Sequence, residues 1–255
     1  MIYVRDKIQT IVESIKSTGS VSGWVDNTGS YTVTTSTTGN LEVGFKVVLI
    51  YADTSLNRDV IITAKTDTTF TYSGTGIAEP ATWKMALYFE VGHRIELNKL
   101  YTNKAKSSNK LVQEYPLIWL YTDFQKNKGD GEYTAFETSL QFAIADFSIK
   151  GKYEAARITD KFKPVLYPYM ELIETAFNTG TNKRNFVTTF GEDSEIRFSP
   201  IDRPFFGSAD ETKNVLPQVT DAIEVEVDLK WKIENCATDV IELNLIEGGN
   251  FLLLG

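Results

Sequence analysis

His93 and Cys236 are the single histidine and the single cysteine of this chain, so any histidine- or thiolate-based mechanism has to run through one of them. A Ser-His-Asp or Cys-His arrangement needs a nucleophile within hydrogen-bond reach of its base, and a third group to orient that base. His93 stands in Val91-Gly92-His93-Arg94, at the exit of a β-rich region, and the chain has no G-x-S-x-G turn. Cys236 follows a strand-like segment and reads as a small buried apolar side chain. Phosphate-cradling and dinucleotide glycine motifs are missing as well. The 34 acidic residues place carboxylates near one another everywhere, so a carboxylate pair carries no weight as a glycosidase signal. The expectation is a protein that is not an enzyme.

Two further constellations concern binding. Asp53-Thr54-Ser55-Leu56-Asn57-Arg58-Asp59 spaces side-chain oxygens at alternate positions, as a calcium loop begins. Arg58 occupies the place of the turn glycine and brings the wrong charge, and Ala64 stands where the closing glutamate belongs. A hairpin loop fits better, and neither a metal nor a cofactor is expected. Trp24, Tyr31, Tyr51, Tyr72 and Trp83 have the chemistry of a sugar-binding face. Their alternative role is in a strand core or in cross-strand pairs.

A net charge of −8 argues against a general nucleic-acid binder, which needs clustered Lys and Arg against phosphate. One cysteine allows neither an internal disulfide framework nor a cysteine-based zinc cluster. MIYVRDKIQTIVESIK lacks the basic-then-apolar pattern of a secretory signal, and the final FLLLG is too short to span a bilayer. A soluble protein of a reducing compartment is expected.

The elements that would position these groups follow from periodicity. Val4, Ile8, Ile11, Val12 and Ile15 share one side at helical spacing, which predicts an amphipathic helix over 3–17 closed by Gly19. From Gly19 to about residue 89 the chain turns to Thr, Ser, Gly and β-branched residues in short runs: WVDNTGSYTV, with a turn at Asn27-Thr28-Gly29, then LEVGFKVVLIYAD, VIITAK, TFTYSG and WKMALYFE. This spacing predicts a small β-sandwich or barrel. PLIWLYTDF reads as a buried strand, and SLQFAIADFSI as a strand whose phase changes at Phe147, marking a bulge or a strand end. AIEVEVDLKWKI puts Ile223, Val225, Val227, Leu229, Trp231 and Ile233 on one face and charges on the other, which predicts an antiparallel sheet covered on one side. KFKPVLYPYMELIETAF stripes Val165, Leu166, Tyr169, Leu172, Ile173, Ala176 and Phe177 for packing on that sheet. Pro168 implies either a kink there, or a helix starting at Pro168 after an extended Lys163–Tyr167. The fold class is α+β: an antiparallel or mixed sheet packed by helices (1–18 and 90–255), with an inserted all-β module at 19–89. Phe205-Phe206 in a long loop and Phe251-Leu252-Leu253-Leu254 at the end are apolar projections suited to subunit or partner contact.

The order of helix, β excursion, PLIWLYTDF, SLQFAIADFSI, K-Y-E-A-A-R…F-K-P-V-L-Y-P and AIEVEVDLKWKI resembles neck and tail-terminator-like ring proteins of tailed phages, including the crAss-like group of gut phages. The resemblance spans roughly residues 1–18 and 90–235, and the β module departs from the smallest members as an insertion. It implies a structural virion protein, assembled in the host cytoplasm and located in the neck or tail. Such a subunit forms a head-to-tail ring of sixfold or twelvefold symmetry around the DNA channel. Its partners would be copies of itself and neighbouring portal, neck and tail proteins, with DNA passing unbound and no membrane involved. Phe205, Phe206 and Phe251 to Leu254 would then be contact residues. The alternative role is carbohydrate binding or adhesion through the β module of such a virion protein.

Overall fold

The structure, a computed structural model, is described for residues 2–75, 78–92, 115–121, 126–128, 134–147, 154–178, 186–188, 195–199 and 220–232. It combines helices, a closed antiparallel barrel and a second, mixed sheet, which is the α+β class with a β-barrel module.

Helix α1 (Ile2–Ile15) buries Ile8, Ile11, Val12 and Ile15 and leaves Arg5, Asp6, Thr10 and Glu13 exposed, as its spacing predicts. Gly19 does not close it. The helix stops at Ile15, whose carbonyl accepts from Asn40 Nδ2 at 2.9 Å, while the Asn40 N–H donates to Ser17 Oγ at 2.8 Å. A residue distant in sequence thus satisfies the helix end, a cap that no local pattern announces.

Strands β1 (Thr18–Asp26), β2 (Ser30–Thr35), β3 (Lys46–Ile50), β4 (Arg58–Lys65), β5 (Thr69–Ser73) and β6 (Thr82–Met85) close in the order β1-β2-β5-β4-β3-β6, with β6 pairing back onto β1. Alternation sends Val33, Val47, Leu49, Ile62, Phe70 and Trp83 inward. Many threonines face outward and tie strands and turns together: the Thr32 and Thr71 hydroxyls meet at 3.2 Å, and Thr66 Oγ1 accepts from the Thr69 N–H at 3.0 Å in the β4–β5 turn. Thr28 (φ 59°) and Gly29 (φ 95°) give β1 and β2 the left-handed pair that a two-residue hairpin needs.

WKMALYFE is two strands, not one. The Ala86 N–H bonds the Lys46 carbonyl inside the barrel, whereas the Tyr88 N–H bonds the Pro116 carbonyl, both at 2.9 Å. The backbone changes partner within two residues, and β7 (Tyr88–Gly92) joins the second sheet. That sheet also contains β8 (Leu117–Tyr121), β9 (Lys126–Lys128), β10 (Thr134–Phe147), β11 (Phe186–Thr188), β12 (Glu195–Ser199) and β13 (Thr220–Lys232). Its main path is β11-β13-β10-β8-β7, with β12 on β13 and β9 on β10; among the described residues only β7 and β8 run parallel.

The β10–β13 ladder is unbroken from Phe136↔Trp231 to Phe147↔Thr220, so the phase change at Phe147 marks the strand end. Along it, Phe142↔Val225 and Ile144↔Ile223 form the apolar face. The opposite face was expected to be solvated, yet at this end Ala143, Ala145 and Ala222 are buried, as is all of β8. Small side chains there allow both faces to be covered.

Helix α2 (Glu154–Arg157), a π-helical stretch Ile158–Leu166 and helix α3 (Tyr167–Asn178) run without a break. Neither a helix start at Pro168 nor an extended Lys163–Tyr167 is present. The Tyr167 N–H reaches back five residues to the Phe162 carbonyl. In a regular α-helix a proline loses one hydrogen bond and its ring strikes the carbonyl four residues back. The wider turn shifts that carbonyl away, so two prolines coexist with a continuous helix.

This segment packs between sheet and barrel. The π stretch lies against β10 and β13, and α3 against α1. On the barrel side, Phe45 stacks on Tyr169 with ring centres 4.1 Å apart, and the Tyr169 hydroxyl donates to the Ala86 carbonyl at 3.0 Å. Gly44 (φ 95°) sits so close to Pro164 that a Cβ would lie 2.8 Å from the Pro164 Cβ and 3.0 Å from its oxygen. Barrel, helices and sheet share one continuous apolar core.

Gly44→Ala should therefore cost about 2–4 kcal/mol, from left-handed strain plus overpacking against a backbone that cannot retreat. Gly29→Ala has the same φ but open space around it, and should cost only about 1 kcal/mol. Urea unfolding midpoints at an unchanged m value check the difference.

Candidate functional site

Two polar constellations are built by this fold. The first lies where helix, sheet and barrel meet. Asp146 and Asp221 face each other directly across β10 and β13, on the side that carries Ile144 and Ile223, with only 6% and 0% exposure. Two carboxylates placed so close can act as an acid–base pair if one holds a proton. Here each is met by a cation from the helix. Lys161 Nζ donates to Asp146 Oδ2 at 2.7 Å, and Arg157 donates to Asp221 Oδ1 from Nε at 3.1 Å and Nη2 at 2.9 Å. Arg157 and Lys161 are four residues apart, so both cations reach the strand pair from one helical face. On the barrel side Lys46 stands 3.4 Å from Asp59. Burial holds Lys46 below the ordinary lysine range, against the opposing pull of Asp59 and Asp146. This is an ion network that joins elements, with its carboxylates already engaged.

The second constellation occupies the barrel end farthest from the helices. Trp24 stacks on Tyr31 (5.1 Å between centres, 8° between planes), and Tyr31 stacks on Tyr72 (5.4 Å, 27°). The Tyr72 hydroxyl accepts from Trp24 Nε1 at 3.2 Å and from Arg58 Nη2 at 3.3 Å. The Arg58 guanidinium lies 5.9 Å from the Tyr51 ring centre and 5.7 Å from that of Tyr72, within cation–π range. Its Nη1 donates to the Thr75 carbonyl. Burial raises the Tyr51 hydroxyl above the ordinary tyrosine range, a shift the Arg58 charge opposes.

Four of the five aromatic residues singled out in the sequence thus come together, and Trp83 does not. It lies inside the barrel, donating from Nε1 to Thr35 Oγ1 at 3.1 Å with its ring edge-on to Phe70. In the Asp53 loop the oxygens serve the turn: Asp53 Oδ1 accepts from the Ser55 N–H at 2.9 Å and from Ser55 Oγ at 2.7 Å, and Asn57 Oδ1 accepts from the Tyr51 N–H at 2.9 Å. No group of three or more His, Cys, Asp or Glu able to hold a metal converges among the described residues. His93, Cys236, Phe205, Phe206, Phe251, Leu252, Leu253 and Leu254 lie outside the described residues.

Sequence reasoning missed Arg157, Lys161, Asp146 and Asp221 as a set. The available signal was one aspartate at each end of an apolar strand face, two residues beyond Ile144 and two before Ile223. It also noticed Arg58 only as a misfit in a calcium loop.

No family model, curated protein or solved structure matches the chain.

Tyr169 gives the junction a pH signature. Complete burial, reinforced by the Asp146 charge, raises its hydroxyl well above the ordinary value. The folded state therefore holds a proton that the unfolded chain releases near pH 10, so stability is full below pH 10 and falls as pH rises beyond it. Tyr169→Phe should flatten the alkaline limb of a stability–pH profile and cost about 1 kcal/mol at neutral pH through the lost bond to Ala86. Denaturant titrations between pH 8 and pH 11 read both effects.

Proposed function

We propose that this chain is a structural subunit of a tailed-phage virion, assembling head-to-tail into a ring of the neck or tail through which DNA passes. Its core would then be of the tail-terminator type, carrying the barrel as an insertion. One observation carries the reading. The segment on which the resemblance rests, Phe162 to Pro168, is seated against the β10–β13 pair and, through Pro164, against Gly44 of the barrel, with Tyr169 just beyond it stacked on Phe45. The shared core and the ion network suit a subunit that transmits load as one body. The acidic net charge of −8 suits a channel that DNA traverses without adhering. Subunit contact falls in this reading to Phe205, Phe206 and Phe251 to Leu254.

Native mass measurement and negative-stain imaging of the full chain, alone and with virion neck and tail components, test it. Uniform annular particles, sixfold or twelvefold, are the expected result. A species that stays monomeric and joins no virion component contradicts the proposal.

A further inference from the structure

The far end of the barrel has an imbalance of donors and acceptors. Arg58 brings five N–H groups and a full positive charge. One N–H is taken by the Thr75 carbonyl and one by the Tyr72 hydroxyl, while Nε is buried with no partner. Tyr51, 3% exposed, has a buried hydroxyl with no partner that meets hydrogen-bond geometry, and Arg58 and Tyr72 are the polar groups beside it. The Tyr72 hydroxyl already accepts twice, so it takes no further N–H from Arg58. Among the described residues no carboxylate forms an ion pair with Arg58, whereas Lys16, Lys46, Lys65, Arg157 and Lys161 all have one. A partly buried guanidinium without a counter-charge, beside an unsatisfied hydroxyl, is a costly arrangement to keep in a chain so rich in acids.

The missing component is an anionic acceptor with at least two oxygens. Beside it, Trp24 keeps part of its ring at the barrel surface and is stacked flat on Tyr31. A flat, partly exposed indole next to a cation suits a ring-shaped ligand that carries its own acid group. We propose that this barrel end binds a carboxylate-bearing saccharide, the carboxylate accepting from Arg58 and Tyr51 while a sugar face lies on Trp24. Arg58 Nε and the Tyr51 hydroxyl are shut from water, so binding requires the partly exposed Arg58 head to turn towards the incoming acid and uncover the Tyr51 hydroxyl beneath it. The site narrows the aromatic sugar-binding face read from the sequence to one ligand class and assigns its charge recognition to Arg58. It is independent of ring assembly: a ring that binds no acid, or a monomer that binds one, separates the two.

The test titrates the full chain with an oligosaccharide of glucuronic acid, its neutral glucose counterpart and inorganic phosphate, following tryptophan fluorescence and heat. The glucuronic oligomer should bind at least tenfold more tightly than the neutral one, and phosphate, which has no ring to lie on Trp24, should also bind far more weakly than the glucuronic oligomer. Arg58→Met should abolish that preference. Tyr51→Phe covers the case in which the arginine variant fails to fold: it should weaken binding about tenfold while leaving Tm unchanged or higher, because it removes a hydroxyl that has no partner. Equal binding of acidic and neutral sugars, no binding of either, or phosphate binding as tightly as the glucuronic oligomer would each overturn the assignment. So would a Tm that falls in Tyr51→Phe, which would mean that the hydroxyl is already satisfied.

Discussion

Asp146 and Asp221 stand opposite one another on paired strands, buried, at the end of an otherwise apolar face. Like charges directly across a strand pair repel, and burial strengthens the repulsion. The pair is tolerable only because Arg157 and Lys161 reach it from one helix face. That demand fixes the rotation of the helix about its axis and its position along β10 and β13. With the helix so fixed, Pro164 and Tyr169 are delivered to Gly44 and Phe45, and the barrel takes its place. The ion pairs thus act as a register device more than as a source of net stability, since buried charges lose in desolvation much of what they gain in attraction.

The π-helical stretch belongs to the same constraint. A regular α-helix through Pro164 and Pro168 would break or bend, and the residues after it would lose their alignment with the cations before it. Reaching five residues back keeps one continuous rod from Arg157 to Phe177. Arg157 therefore sits at the sheet while Tyr169, three turns later, sits at the barrel.

Local order was legible in the sequence where one element buries one face. The stripe of α1, the short β-branched runs of the barrel and the alternation at Ile223 and Val225 each predicted the element that formed. What escaped were features settled by partners far away in the chain. The end of α1 is set by Asn40, the split of WKMALYFE by a change of hydrogen-bond partner at Ala86, and the covered second face of the sheet by residues as small as Ala143 and Ala222. The aromatic set at the barrel end was visible as composition, but its grouping around Arg58 was not, because barrel closure decides which ends of which strands meet. For the proposed ring subunit, this coupling of barrel, helix and sheet would make the protomer a single rigid body and not a core with a loosely tethered appendage.

The most direct measurement is a double-mutant cycle on the Arg157–Asp221 pair by denaturant unfolding of the full chain, using Arg157→Met, Asp221→Leu and both together. Each single change strands a buried charge and should cost about 3–5 kcal/mol, while the double variant should lie closer to the parent than either single one. Simple additivity of the two costs would contradict the account, because it would mean that the helix is held on the sheet by apolar packing alone.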